Sequence, residues 1–190
     1  MDKKAISKKL DRISRALLEA KTFYEMWWVL RGPTRPKYVD IMNEYGSYSR
    51  ALITTTFYTT VIALYKVTDK RSHNLEDVFK SLPTDKFTVD DVQSYRAVMA
   101  KHKKIIKAVG ILRNNAFGHN SVSLDYDAAF TKAGFVPNEC KEYIADLVTM
   151  ICAIYSKHEN LVHEAFFKSK AADELESVFQ ELMNHAAKAG

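Results

Sequence analysis

The chain is poor in the residues that make tight turns: six of its 190 residues are glycine and four are proline. That scarcity disfavours a β-sandwich or barrel, whose short strands need a turn signal every few residues. Cysteine is almost absent. Cys140 and Cys152 stand twelve positions apart, forming neither a CxxC pair nor a zinc-ligand spacing, so they read as two core thiols. No glycine-rich phosphate loop, GxSxG elbow or EF-hand loop occurs. The longest charge-free run, Ala51 to Tyr65, is too short and too rich in threonine for a bilayer span, which needs about 20 mostly apolar residues. The opening MDKKAISKKL is basic but lacks the apolar stretch of a secretory signal. These absences predict a cytoplasmic location, with no membrane partner and no metal.

What is present is the composition of a globular protein, 47% hydrophobic and 27% charged. The length suits one domain over residues 1–190 rather than two. Basic residues outnumber acidic ones 28 to 23, a net +5 that is compatible with a polyanionic partner without requiring one.

Helical periodicity organises the chain. Ile6, Leu10, Ile13, Leu17 and Leu18 open a helix over 6–31, which Gly32 and Pro33 close; the glycine permits a left-handed cap. Trp27 and Trp28 near its end suit buried packing or a subunit contact better than base stacking. A second helical stretch runs from about Lys37 to Thr68. Its ITTTFYTTVI run carries β-propensity, but Ile53, Phe57 and Val61 share a face only on a 3.6-residue repeat. The near-neutral flanks predict a central, well-buried helix, with the aromatics between Tyr45 and Tyr65 in the core. Asn74 to Leu82 reads as a short helix. Thr88 and Asp91 form a capping-box pattern that opens a helix running unbroken through Val98, Ile105, Val109 and Leu112. Residues 118–136 are irregular except for a helical turn over Asp127 to Lys132. Pro137 opens a long helix to about His163, and a last one covers Asp173 to Lys188. The fold class is therefore all-α, a single helical bundle.

The stretch that carries chemistry is Val109-Gly-Ile-Leu-Arg-Asn-Asn-Ala-Phe-Gly-His-Asn-Ser121. On a continuous helix, positions 113 and 119 would differ by about 120° and never meet. Gly118 is a natural helix end, after which the chain can turn and return the imidazole of His119 toward Arg113. Arg113 lies at the margin of the apolar stripe, where a charged fork needs an anionic or hydrogen-bonding partner. That partner is either a structural carboxylate, Asp125 or Asp127, or a bound phosphate. Lys101-His-Lys-Lys104 and Lys107 lead toward this point. Lys103, Lys104 and Lys107 read equally as contacts to an RNA backbone or as a solvated helix face.

Arg113-Asn114-Asn-Ala-Phe-Gly-His119 resembles the motif of the HEPN superfamily: arginine, a polar residue, then histidine after four to six intervening positions. The layout is also similar to the abortive-infection, AbiU-like branch. The shared features are the helix with its tryptophans, the Tyr/Phe-rich second helix ending Leu64-Tyr-Lys-Val-Thr-Asp69, and the Asp127-Ala-Ala-Phe segment. The resemblance implies a HEPN-type bundle that pairs as a two-fold dimer. It also implies a metal-independent, cofactor-free endoribonuclease of toxin or phage-defence type, with Arg113, Asn114 and His119 catalytic. The RNA 2′-OH would attack phosphorus, leaving a 2′,3′-cyclic phosphate and a 5′-OH. The alternative it leaves open is a non-catalytic HEPN-fold binding or regulatory dimer. A third reading is a helical scaffold unrelated to HEPN. Where some HEPN toxins carry a tyrosine silenced by adenylylation, Ser121 stands here, so a neutralising partner protein stays unidentified.

His158 and His163 are five apart, one too many for HExxH, and project about 140° away from each other on a helix. They read as surface or boundary histidines.

Overall fold

The structure, a computed structural model, describes residues 3–69, 74–117, 126–160 and 164–189. Among the described residues every regular element is helical and no strand occurs, as expected of an all-α bundle.

Helix α1 (Lys3–Arg31) buries Ile6, Leu10, Ile13, Leu17, Ala20 and Tyr24, a stripe three or four residues apart. It stops where the Gly32 amide donates to the Trp28 carbonyl at 2.7 Å. The expected left-handed cap is not what glycine supplies, since Gly134 is the one described glycine with positive φ. What Gly32 supplies is clearance, because a Cβ there would lie 2.5 Å from the Trp28 carbonyl oxygen.

The helix expected over Lys37 to Thr68 is three pieces: a 3-10 turn (Arg35–Tyr38), α2 (Val39–Glu44) and α3 (Gly46–Thr68), with Tyr45 non-helical at φ −101°, ψ 45°. Two docking tasks break it. Tyr38, Ile41 and Met42 are buried against Leu175 and Phe179 of α9 (Ala171–Ala189), and the Tyr38 hydroxyl donates to Glu176 at 2.7 Å. Meanwhile α3 lies along α1. One straight rod would not reach both partners.

The threonine-rich run is helical because its hydroxyls are satisfied locally. Thr56 donates to the Leu52 carbonyl and Thr60 to the Thr56 carbonyl, each at 2.8 Å, so both are buried without an orphaned donor. Expectation and structure part over the aromatics of this helix and of Tyr45 just before it. Phe57 is core, but Tyr45, Tyr48 and Tyr58 are exposed, at 45%, 60% and 41%. The first half of α3 is thus a surface rather than a central strut.

Helix α4 (Leu75–Phe79) is capped by the Asn74 side chain, and α5 (Val89–Lys101) opens with the expected Thr88–Asp91 capping box. The helix does not continue unbroken. His102 leaves helical geometry at φ −96°, ψ 14°, and α6 (Lys103–Leu112) starts afresh. The His102 ring is buried against Tyr143, with Nε2 2.8 Å from Asp146 of α8 (Pro137–Glu159), an inward docking that accounts for the bend. Pro137 occupies the first turn of α8, and Asn160 ends it in the left-handed conformation. Helix α7 (Tyr126–Ala133) covers the helical turn expected there and extends it.

The main core gathers the inner faces of α1, α3, α6 and α8. Ile105, Ala108, Val109 and Leu112 are α6's share, each at most 1% exposed. Full burial of a leucine such as Leu112 is worth about 1.5–3 kcal/mol, which fixes the end of α6 firmly against the bundle. Cys140 is buried and Cys152 half-buried, both free thiols as expected; burial pushes the Cys140 thiol well up from its ordinary range.

Candidate functional site

Leu112 is the last α-helical residue of α6, and Arg113–Phe117 continue it as a π-helical turn. In such a turn each amide reaches back five residues instead of four, which widens the helix, and such turns recur at functional sites. The Asn115 side-chain amide donates to the Ile111 carbonyl at 2.9 Å, supplying a donor where the ladder changes register. The sequence led us to expect an α-helix up to Gly118, so the widening is a departure from it.

Arg113 emerges half-buried at that change of register, beside the fully buried Leu112. Its guanidinium carbon sits 4.9 Å from the centre of the Tyr65 ring on α3, and Nη1 donates to the Asn114 Oδ1 at 2.9 Å. Among the described residues no carboxylate pairs with it. An aromatic face and an amide oxygen orient the fork without neutralising it, and four of its five N–H donors have no partner among the described residues. Asn114 is exposed. Gly118, His119, Ser121 and Asp125 lie outside the described residues. The structure thus brings Arg113 and Asn114 together. It adds Tyr65, which sequence reasoning quoted only as part of the second helix and gave no role. Its signal was faint, an aromatic near the end of a long helix.

Lys103, Lys104 and Lys107 are exposed, but they are not alike. Lys104 meets Glu139 of α8 at 2.9 Å, and neighbouring Lys101 meets Asp146 at 2.7 Å. Hydrogen bonds from Lys101 and then His102 hold the Asp146 carboxyl below its ordinary range. Lys103 and Lys107 have no carboxylate partner among the described residues and stand one helical turn apart. Two turns beyond Lys107 the same side of the helix leads to Asn114.

A second cationic region was not anticipated. A cavity of about 970 Å³ lies between α1, α2, α3 and α7, rimmed by Arg31, Arg35 and Arg50 and walled in part by Trp27, Phe57 and Phe130. Trp27 packs on Phe57 with ring centres 5.2 Å apart, and Phe57 on Phe130 at 5.6 Å, so both tryptophan and phenylalanines belong to packed walls.

His158, read as a surface or boundary residue, is buried at 2% exposure, and neither ring nitrogen has a hydrogen-bond partner among the described residues. The C-terminal turns of α8 pack inward there, and Lys86 donates to the His158 carbonyl at 2.8 Å. His163 lies outside the described residues. No described helix is long and apolar enough to cross a membrane.

The AbiU2 family model of HEPN proteins matches residues 3–186. No curated protein and no solved structure matches the chain. The family match runs through the helical bundle from α1 into α9 and takes in the whole Arg113 to His119 stretch: the chain belongs to the AbiU2 family of HEPN proteins.

Proposed function

We propose that the protein is a metal-independent endoribonuclease of the toxin or phage-defence kind, with Arg113, Asn114 and His119 as its catalytic residues. The 2′-OH of the RNA attacks the adjacent phosphorus and gives its proton to the His119 imidazole. The P–O5′ bond breaks, and the 5′-oxygen leaves as a hydroxyl by taking a proton from water, to which His119 later returns the proton it accepted. The products are a 2′,3′-cyclic phosphate and a 5′-OH end. DNA lacks the nucleophile and is not cut. A histidine suits the proton transfer because it exchanges near neutrality, and a planar guanidinium suits the charge gathering on the equatorial oxygens.

The observation that carries this reading is the state of Arg113. Its charge is oriented by Tyr65 and Asn114 but cancelled by no described carboxylate, at the point where the helix widens. Lys103 and Lys107 fit a backbone track toward it, and Lys104 joins them at the cost of its contact with Glu139. The test is incubation of purified protein with tRNA and mRNA in EDTA, followed by end-group analysis. Cyclic-phosphate and 5′-OH ends that persist in EDTA are expected. Cleavage that EDTA abolishes, or ends of the opposite polarity, removes the mechanism.

A second reading, a non-catalytic HEPN-fold dimer, draws on the exposed Tyr45, Tyr48 and Tyr58, a residue type enriched where subunits meet. Self-association belongs to both readings. Growth arrest on induction that Arg113→Ala and His119→Ala relieve favours the enzyme; equal behaviour of all three proteins favours the binding dimer.

A further inference from the structure

Between α1, α8 and the start of α9 lies a groove of about 360 Å³, near the lower end of the range for small-ligand pockets. Its floor is apolar. Tyr24 and Trp28 of α1 stack there with ring centres 5.8 Å apart, and Ile144, Ala145 and Ala172 complete it. No described residue of α3 or α6 lines the groove, so it is separate from Arg113 and the Tyr65 ring that supports it.

Four charged residues stand around this floor, and they are of two kinds. Lys21 and Glu25, one turn apart on α1, pair with each other. Lys141 and Asp173 pair with no charged group among the described residues, and no ion pair joins them across the groove. Lys141 is held all the same. Its Nζ lies 5.1 Å from the centre of the Trp28 ring, which orients the ammonium without cancelling it. Asp173 stands in the first turn of α9. A cation and an anion on one small apolar groove, too far apart to meet, leave a gap that a molecule bearing both charges spans.

The balance of charge disfavours simpler ligands. Lys21 and Glu25 neutralise each other and the remaining two charges are opposite, so the lining draws neither a phosphate nor a polyamine. The start of α9 does not draw an anion by itself. The Ala171 amide already donates to the Ser169 hydroxyl at 3.2 Å, and Asp173 and Glu174 occupy the first turn. A wholly apolar ligand uses the floor but leaves both charges idle. A zwitterion with an apolar side chain uses all three features.

We propose that this groove binds a free amino acid with an aromatic or branched aliphatic side chain. Its carboxylate lies on Lys141, its ammonium on Asp173 and its side chain on the floor made by Trp28, Ile144 and Ala172. The ligand bridges α1, α8 and α9, so it stabilises the bundle when bound. The site stands whether or not the protein cuts RNA.

Trp28 reports on the groove, since the chain has two tryptophans and Trp27→Phe leaves only this one. Its fluorescence is titrated with L-phenylalanine, L-leucine, phenethylamine, 3-phenylpropionate and benzyl alcohol, and the melting temperature of the unaltered protein is followed in parallel. A saturable change and a raised melting temperature are expected with either amino acid. Lys141→Met and Asp173→Asn, both at exposed positions, each weaken amino-acid binding by roughly tenfold, the loss of one charged hydrogen bond. Circular dichroism checks that the fold is kept. Phenethylamine, which lacks the carboxylate, responds to Asp173→Asn but not to Lys141→Met, and 3-phenylpropionate shows the reverse. No saturable change with either amino acid overturns the proposal. So does an affinity indifferent to either substitution, or benzyl alcohol binding as tightly as phenylalanine.

Discussion

Two basic regions of this protein invite opposite readings in sequence and in space. Lys101 to Lys107 is a dense cluster in the chain, yet α8 brings Asp146 against Lys101 and Glu139 against Lys104. Arg31, Arg35 and Arg50 are spread over twenty positions, yet they rim one cavity that no described acidic residue lines. Arg113 resembles the second region more than the first, since a ring and an amide hold it in place of a carboxylate. A charge available to a phosphate is one that the fold has oriented without neutralising, and linear density of lysine does not reveal it.

The contrast can be broken most sharply at Arg113. On the proposed mechanism, Arg113→Ala is expected to lower the RNA cleavage rate by about 10²- to 10³-fold, the usual loss of a positioned transition-state donor. Arg113→Lys restores only part, because an ammonium lacks the planar fork. Next comes the lysine face. If these lysines track RNA as proposed, Lys103→Ala with Lys107→Ala is expected to weaken RNA binding by roughly tenfold and to lower the salt slope of log K by about 1.4, at about 0.7 per lost contact. Filter binding across a salt series measures both. Glu139→Gln has the opposite sign, strengthening binding two- to threefold by releasing Lys104; no change would mean that Lys104 faces away from RNA. Tyr65→Leu removes the ring beneath Arg113 and lowers cleavage by a few-fold, roughly the 0.5–1 kcal/mol of a partly exposed cation–π contact, with thermal stability little changed.

The smallest effect concerns a charge that is engaged in holding the fold. Hydrogen bonds from Lys157 and from the Thr88 backbone and side chain pull the Asp91 carboxyl from 3.8 down to about 2. A depressed folded pKa means stabilisation that is complete above the ordinary carboxylate range and lost as pH falls from about 4 toward 2. Asp91→Asn therefore lowers the melting temperature slightly at neutral pH and flattens its decline over that acid interval. Circular dichroism melts from pH 6 to pH 2 follow this. Parallel curves for the two proteins would mean that the capping box and the Lys157 contact add nothing together.

The parts of the fold legible in the sequence are those fixed by local chemistry. The Thr88–Asp91 box, Pro137 in the first turn of α8 and the apolar repeat of α1 each act within a few residues, and each lies where the pattern put it. The breaks at Tyr45 and His102 were not legible, because distant partners set them: Glu176 takes the Tyr38 hydroxyl, and Asp146 takes the His102 ring. The same division holds at the sites. Arg113 and Asn114 are neighbours in the chain and could be found as a motif. Tyr65 comes from another helix, and the three arginines of the cavity share only proximity in space. The exposed Tyr48 and Tyr58 of α3 misled because aromatic content alone suggests burial, whereas this helix turns Thr56 and Thr60 to the core, where their hydroxyls donate to its own carbonyls.

The account stands on a guanidinium and an imidazole serving the same phosphate. Single-turnover cleavage by the wild type, Arg113→Ala, His119→Ala and the double variant measures this directly. Groups that act as a unit are strongly non-additive, so the double variant is expected to be about as slow as the slower single one. Losses that multiply in the double variant, or either single variant cutting at the wild-type rate, would contradict it.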